Sequence, residues 1–144
     1  MPISGSRRKG REAALQVLYQ FELGGGELAA LLDSYWSTRR DPGEGVRCFT
    51  EKLVSEVFQH GGRIDSLINE SLENWDMSRL SKVDLNLLRL AVAELLCSPE
   101  VPGAVVIDEA VEVARRFSDP EAASFVNGVL DGIGRRLGRL KPAV

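Results

Sequence analysis

The stretch Ser81-Lys82-Val83-Asp84-Leu85-Asn86-Leu87-Leu88-Arg89-Leu90-Ala91-Val92-Ala93-Glu94-Leu95-Leu96 decides the fold. From Val83 to Leu96 apolar residues fall on every side of a 3.6-residue period, broken only by Asp84, Asn86, Arg89 and Glu94. A helix apolar all round must be enclosed by other helices. Ser81 followed by Asp84 resembles a capping box with a shortened acid, and Pro99 and Pro102 end the segment.

Working outward, six further helices are expected. Helix 1 runs from an N-cap at Ser6 to about Leu23 and is stopped by Gly24-Gly25-Gly26, since glycine accepts the left-handed conformation at a helix end. That glycine run follows a helix and lacks a Lys-Ser/Thr pair, so it is not a phosphate loop. Helix 2 covers about Glu27–Ser37, before a turn at Asp41-Pro42-Gly43. Helix 3 spans about Val46–His60 and is ended by Gly61-Gly62, and helix 4 carries Ile64, Leu67, Ile68 and Leu72. Trp75 lies in a connector. Helix 6 covers about Ala104–Phe117. Helix 7 begins at Asp119-Pro120, an N-cap and a first-turn proline, and runs to about Leu137. Asn127-Gly128 is read as helix, with a tight interhelical contact expected to offset the glycine. No segment has a period of two, so the fold class is all-α, with about seven helices.

Composition narrows the function. An apolar share of 44% suits one globular domain of 144 residues. No stretch approaches the ~18–20 apolar residues of a membrane span, and the N-terminus has no secretory apolar core; a cytoplasmic protein is expected. Cys48 and Cys97 have no metal-type spacing and read as free thiols. The single histidine, His60, is expected to donate to the last carbonyls of helix 3, and no catalytic triad or nucleotide-binding signature is present. Asp108, Glu109 and Glu112 could hold a cation, but acids suit a helix start and Glu112 can pair with Arg116. No metal, cofactor or catalytic residue is assigned.

Charge is unevenly placed. Arg7, Arg8, Lys9 and Arg11 stand among the first eleven residues with no acid, although the chain carries −3 overall. Cations at a helix N-terminus oppose the helix dipole, so local stability does not explain them. Clustered within five positions they span a few phosphates. Tyr19 and Phe125 could offer aromatic faces to unpaired bases. The residues point to a cationic corner on an acidic helical body that binds single-stranded RNA.

The blocks Arg7-Arg8-x-x-Arg11-Glu12-Ala13-Ala14-Leu15-Gln16-x-Leu18-Tyr19, Leu88-Arg89-x-Ala91-x-x-Glu94-Leu95, Ile107-Asp108-Glu109-Ala110-Val111-Glu112 and Phe125-Val126-Asn127-Gly128-Val129-Leu130-Asp131 together resemble the NusB family of bacterial transcription antitermination factors. Trp75, Arg79-Leu80, Asp84, Val101-Pro102 and Phe117 add to the likeness. The resemblance implies two packed three-helix-type bundles around the central helix, as an N-terminal subdomain of about 6–75 and a C-terminal one of about 76–140. It implies a non-enzymatic factor that pairs with the ribosomal small-subunit protein NusE and binds boxA RNA in ribosomal leader transcripts. The pair supports the transcription elongation complex. Arg7, Arg8 and Arg11 would contact RNA, joined by Arg89, Glu121 and Phe125. Departures from the pattern are Lys9, Gly10, Ala93, Asp108, Arg115 and Ser124; Gly10 is expected to loosen the first turns of helix 1, and Ser124 removes a possible phosphate contact. Other roles open to such a chain are an accessory domain acting with a ribosomal RNA methyltransferase, and a homodimeric interaction module.

Overall fold

In the computed structural model, which describes residues 4–73 and 76–141, the central stretch is helix α5 (Lys82–Cys97), and every residue from Leu90 to Leu95 is buried. Successive helical residues turn by about 100°, so this run buries the whole circumference. Around it stand α1 (Ser4–Gly24), α2 (Leu28–Ser37), α3 (Glu44–Gln59), α4 (Gly61–Ser71), α6 (Gly103–Phe117) and α7 (Pro120–Arg136). A 3₁₀ turn, Met77–Arg79, precedes α5. The described residues form seven α-helices and no strand. α1 packs on α3 and carries α2; α6 packs on α7; α5 touches α1, α3, α4, α6 and α7. One apolar core, with Val17, Leu53, Ile68, Leu88, Val106 and Leu130 fully enclosed, runs through all seven helices, α2 contributing Tyr35 and Trp36. No helix among the described residues is long and apolar enough to cross a membrane.

Local chemistry explains most boundaries. Ser81 Oγ accepts from the Asp84 N–H at 3.0 Å, and Asp119 Oδ1 accepts from the Ala122 N–H at 2.7 Å with Pro120 next in line. Each such cap is worth about 1 kcal/mol. The box at Ser81 has one arm only, because Asp84 Oδ1 is buried without a partner. α1 stops where Gly25 and Gly26 take φ of +65° and +97°.

Four expectations are corrected. α1 already includes Ser4, so Ser6 is inside the helix rather than its cap. Gly61-Gly62 opens α4 instead of following α3: His60 closes one helix and starts the next, and its exposed ring makes no hydrogen bond to described residues. Gly10 is buried against α3, where an added Cβ would lie 2.5 Å from Phe49 Cδ2; it allows close packing rather than loosening the turn. Gly128 is exposed, with nothing within 4 Å of a Cβ placed there, so no neighbouring helix explains it. Trp75 lies outside the described residues.

A prediction follows from Gly128. Gly128→Ala is expected to stabilise the protein by about 0.5–1 kcal/mol, the helix-propensity difference with no steric penalty. Urea unfolding should show a higher midpoint with an unchanged slope. A lower midpoint would mean that the glycine has a packing role.

Candidate nucleic-acid interface

The first turns of α1 send their cations in three directions, set by the helical period. Arg8 and Glu12 face α6. Arg7 and Arg11 lie toward α3, each guanidinium 5.4 Å from the Phe49 ring centroid. Lys9 points outward and is exposed. Arg7 and Lys9 make no ion pair with a described residue.

Arg11 is not at the surface. It is 6% exposed, and its Nε and Nη2 donate to Glu94 Oε1 and Oε2 at 2.7 and 2.8 Å. Glu94, on α5, is 2% exposed. Arg11 shares the buried stripe of Ala14, Leu15 and Leu18, which faces inward. Its charge is spent on a buried carboxylate, and a ligand outside the protein cannot reach it. The expectation that Arg11 contacts RNA is therefore corrected: it anchors the helix that carries the other cations. The sequence held a signal for this, since Glu94 stands in a helix apolar on all sides and needs a partner.

Arg89, half-buried, is likewise engaged within its own chain. Its Nε and Nη2 donate to Asp65 Oδ1 and Oδ2 at 2.9 and 3.1 Å, and its Nη1 to Glu22 Oε1 at 2.6 Å. Burial would lower its pKa, but the hydrogen bonds it donates to Asp65 and Glu22, together with the charges of those two acids, outweigh it and leave the pKa raised. Glu22 lies fifteen residues beyond Arg7 on α1, roughly 22 Å along the axis. Arg89 thus ties α1, α4 and α5 together far from the basic end.

Arg8 is half-committed. Its Nε and Nη2 donate to Glu109 Oε2 and Oε1 at 3.0 and 3.1 Å, and this bond, with the Glu109 charge, raises its pKa further. The arginine is 48% exposed and the glutamate 15%. Two of five N–H donors are used, so the outer edge still faces solvent.

The aromatic candidates stand apart from these cations. Tyr19, 37% exposed, is twelve residues past Arg7, roughly 18 Å along α1. It lines a groove with Gln16, Arg39, Val83 and Phe117. Phe125, half-buried, and Glu121, exposed, line a second groove with Arg79, Ser81 and Asp84. Each groove is lined in part by the start of α5, the first by Val83 and the second by Ser81 and Asp84.

Arg115 and Arg116, which the sequence offers only as a departure from the family pattern and as a partner for Glu112, stand at the end of α6. Both are exposed; Arg115 pairs with Glu112, and Arg116 Nη1 donates to Glu12 Oε2 at 3.1 Å. The pair expected between Glu112 and Arg116 is thus made by Arg115 instead. Among the described residues no group of three or more His, Cys, Asp or Glu could hold a metal ion, and Cys48 and Cys97 are free thiols.

Comparison with known proteins gives the context. The profile of the NusB family matches residues 8–135. The chain is 43% identical over 134 residues to "Transcription antitermination protein NusB" of Koribacter versatilis (strain Ellin345), covering 93% of this chain and 92% of that protein. It is 44% identical over 137 residues to the protein of the same name from Sorangium cellulosum (strain So ce56), covering 94% and 96%. Its backbone is similar to that in a crystal structure of the antitermination factors NusB and NusE in complex with dsRNA, with TM-score 0.84, 29% identity and coverage of 93% and 99%. It is also similar to T. maritima NusB, with TM-score 0.81, 35% identity and 90% of each chain covered.

Proposed function

The chain belongs to the NusB family, and from that premise we propose that it is a transcription antitermination factor acting as an RNA-binding adaptor, without catalysis of its own. It pairs with the ribosomal protein NusE on boxA-type RNA of ribosomal leader transcripts and delivers the pair to the elongation complex. The two subdomains, about 6–75 and 76–140, act together as one body in the cytoplasm.

One observation carries the RNA assignment: Arg8 and Lys9, exposed, and Arg7, half-buried over Phe49, sit at the end of a helix that the buried Arg11–Glu94 pair locks to the core. A cationic end fixed in this way meets phosphates without first being ordered. Tyr19, Phe125 and Glu121 lie on the grooves beside α5 and complete the proposed contact surface.

With Arg11 withdrawn, three cations remain, and the logarithm of affinity for single-stranded RNA should fall against the logarithm of salt with a slope of about −2. The Arg7→Ala/Lys9→Ala double variant should bind boxA-type RNA, in the presence of NusE, about tenfold more weakly at physiological salt. Its slope should be shallower by about 1.4, with an unchanged helical spectrum. Fluorescence titrations over a salt series read both quantities. Binding that ignores salt, or is untouched by the double variant, overturns the assignment. A double-stranded competitor identifies the form preferred, and stronger competition by the duplex would reject the single-stranded part of the reading.

A further inference from the structure

α1 and α6 lie side by side, joined by two crossed ion pairs: Arg8 of α1 to Glu109 of α6, and Arg116 of α6 to Glu12 of α1. In both, the acid is the inner member and the cation the outer one. The glutamates are 15% and 14% exposed, the arginines 48% and 67%. Arg8 and Glu12 are one turn apart, which places the two bridges about 6 Å apart along α1, within the reach of neighbouring phosphates on one strand. Arg116 uses a single Nη1 donor on Glu12, so most of its guanidinium edge is available. Arg115 turns the other way, into the groove between α6 and α7 that Ser124 and Asn127 also line. The end of α6 therefore lies between the basic tip of α1 and the helix that carries Glu121 and Phe125. A helix dipole favours basic residues at this position, but it does not account for one of them reaching across to a neighbouring helix with its charge turned outward.

We propose that Arg116, with Arg115 beside it, is a further RNA phosphate contact, so that a bound strand leaves the tip of α1 and crosses the end of α6 toward Phe125. Glu12 and Glu109 are positioning residues that hold the two outer guanidiniums in place. This rests on the RNA-binding reading above and extends its surface to a third helix. With both arginines engaged, the salt slope of the unmodified protein is about −3.5 rather than about −2.

Arg116→Ala should weaken binding of labelled boxA-type RNA about fourfold at physiological salt and flatten the slope by about 0.7. Glu12→Gln removes the carboxylate charge beside the strand but keeps the guanidinium and, in the amide oxygen, an acceptor to position it, so it should bind at least as tightly as the unmodified protein. If Glu12→Gln loses as much as Arg116→Ala, the arginine acts through structure and the inference fails. If Arg116→Ala binds normally while Arg7→Ala/Lys9→Ala does not, the inference fails and the RNA reading stands. If neither variant is weakened, both fall.

Discussion

Arg11→Ala is expected to be among the most damaging single changes in this protein, costing about 3–5 kcal/mol of stability. The loss comes from what remains: a Glu94 carboxylate, 2% exposed, without the two N–H donors that hold it at 2.7 and 2.8 Å. Removing one partner of a buried pair strands the other charge, and that penalty exceeds the net worth of the pair. For a chain of this size the melting temperature should fall by about 10–16 °C. Replacing both members, Arg11→Met with Glu94→Leu, should recover most of the loss, because no charge is then left unpaired. Below its melting temperature, Arg11→Ala should retain the salt slope of the unmodified protein. A variant that melts normally but binds RNA poorly would return Arg11 to the contact surface.

Gly103→Ala is expected to cost about 2–4 kcal/mol, although alanine is the better helix former by up to ~1 kcal/mol. A Cβ on Gly103 would lie 2.2 Å from the carbonyl oxygen of Arg139 and 2.9 Å from its carbonyl carbon. Those are backbone atoms and cannot swing aside, so the C-terminal segment must lift. That segment is held by its own chemistry: the Arg139 guanidinium donates to the carbonyl oxygens of Leu95, Ser98 and Val101, closing the end of α5. Overpacking of this kind costs about 1–3 kcal/mol, and each lost charge-assisted hydrogen bond adds to it. Thermal unfolding checks the size. Truncation after Gly138 should remove the penalty, so the two changes should be strongly non-additive. Equal destabilisation by Gly103→Ala in the full and truncated chains would place the cause elsewhere.

The helices were legible because their signals are local. The all-round apolar pattern of α5 required neighbours on every side, and Ser81 and Asp119 cap the helices their positions announce. Glycine was harder to read. Its sequence context does not separate Gly10 and Gly103, where a neighbour crowds in, from Gly128, which faces open space. Gly61-Gly62 misled because His60 serves two helices at once, leaving no loop for the glycines to occupy.

The arginines divide the same way. Arg7, Arg8 and Lys9 could be placed at an exposed helix end from the chain alone. The commitments of Arg11 and Arg89 depend on acids 83, 24 and 67 positions away, and no local pattern carries that information. Even so, Arg11 falls three, four and seven residues before Ala14, Leu15 and Leu18, which is the spacing of an inward-facing position. Arg115 and Arg116 were hidden by an ordinary explanation, since basic residues are common at helix ends.

The enclosure of α5 by helices from both halves of the chain limits how this protein can be divided. A fragment cut before Lys82 would leave the inner sides of α1, α3 and α4 wet, and it would clump rather than survive as a miniature. Grafting the basic tip onto another scaffold would have to bring α5 along, because the grip that steadies that tip belongs to the middle of the chain.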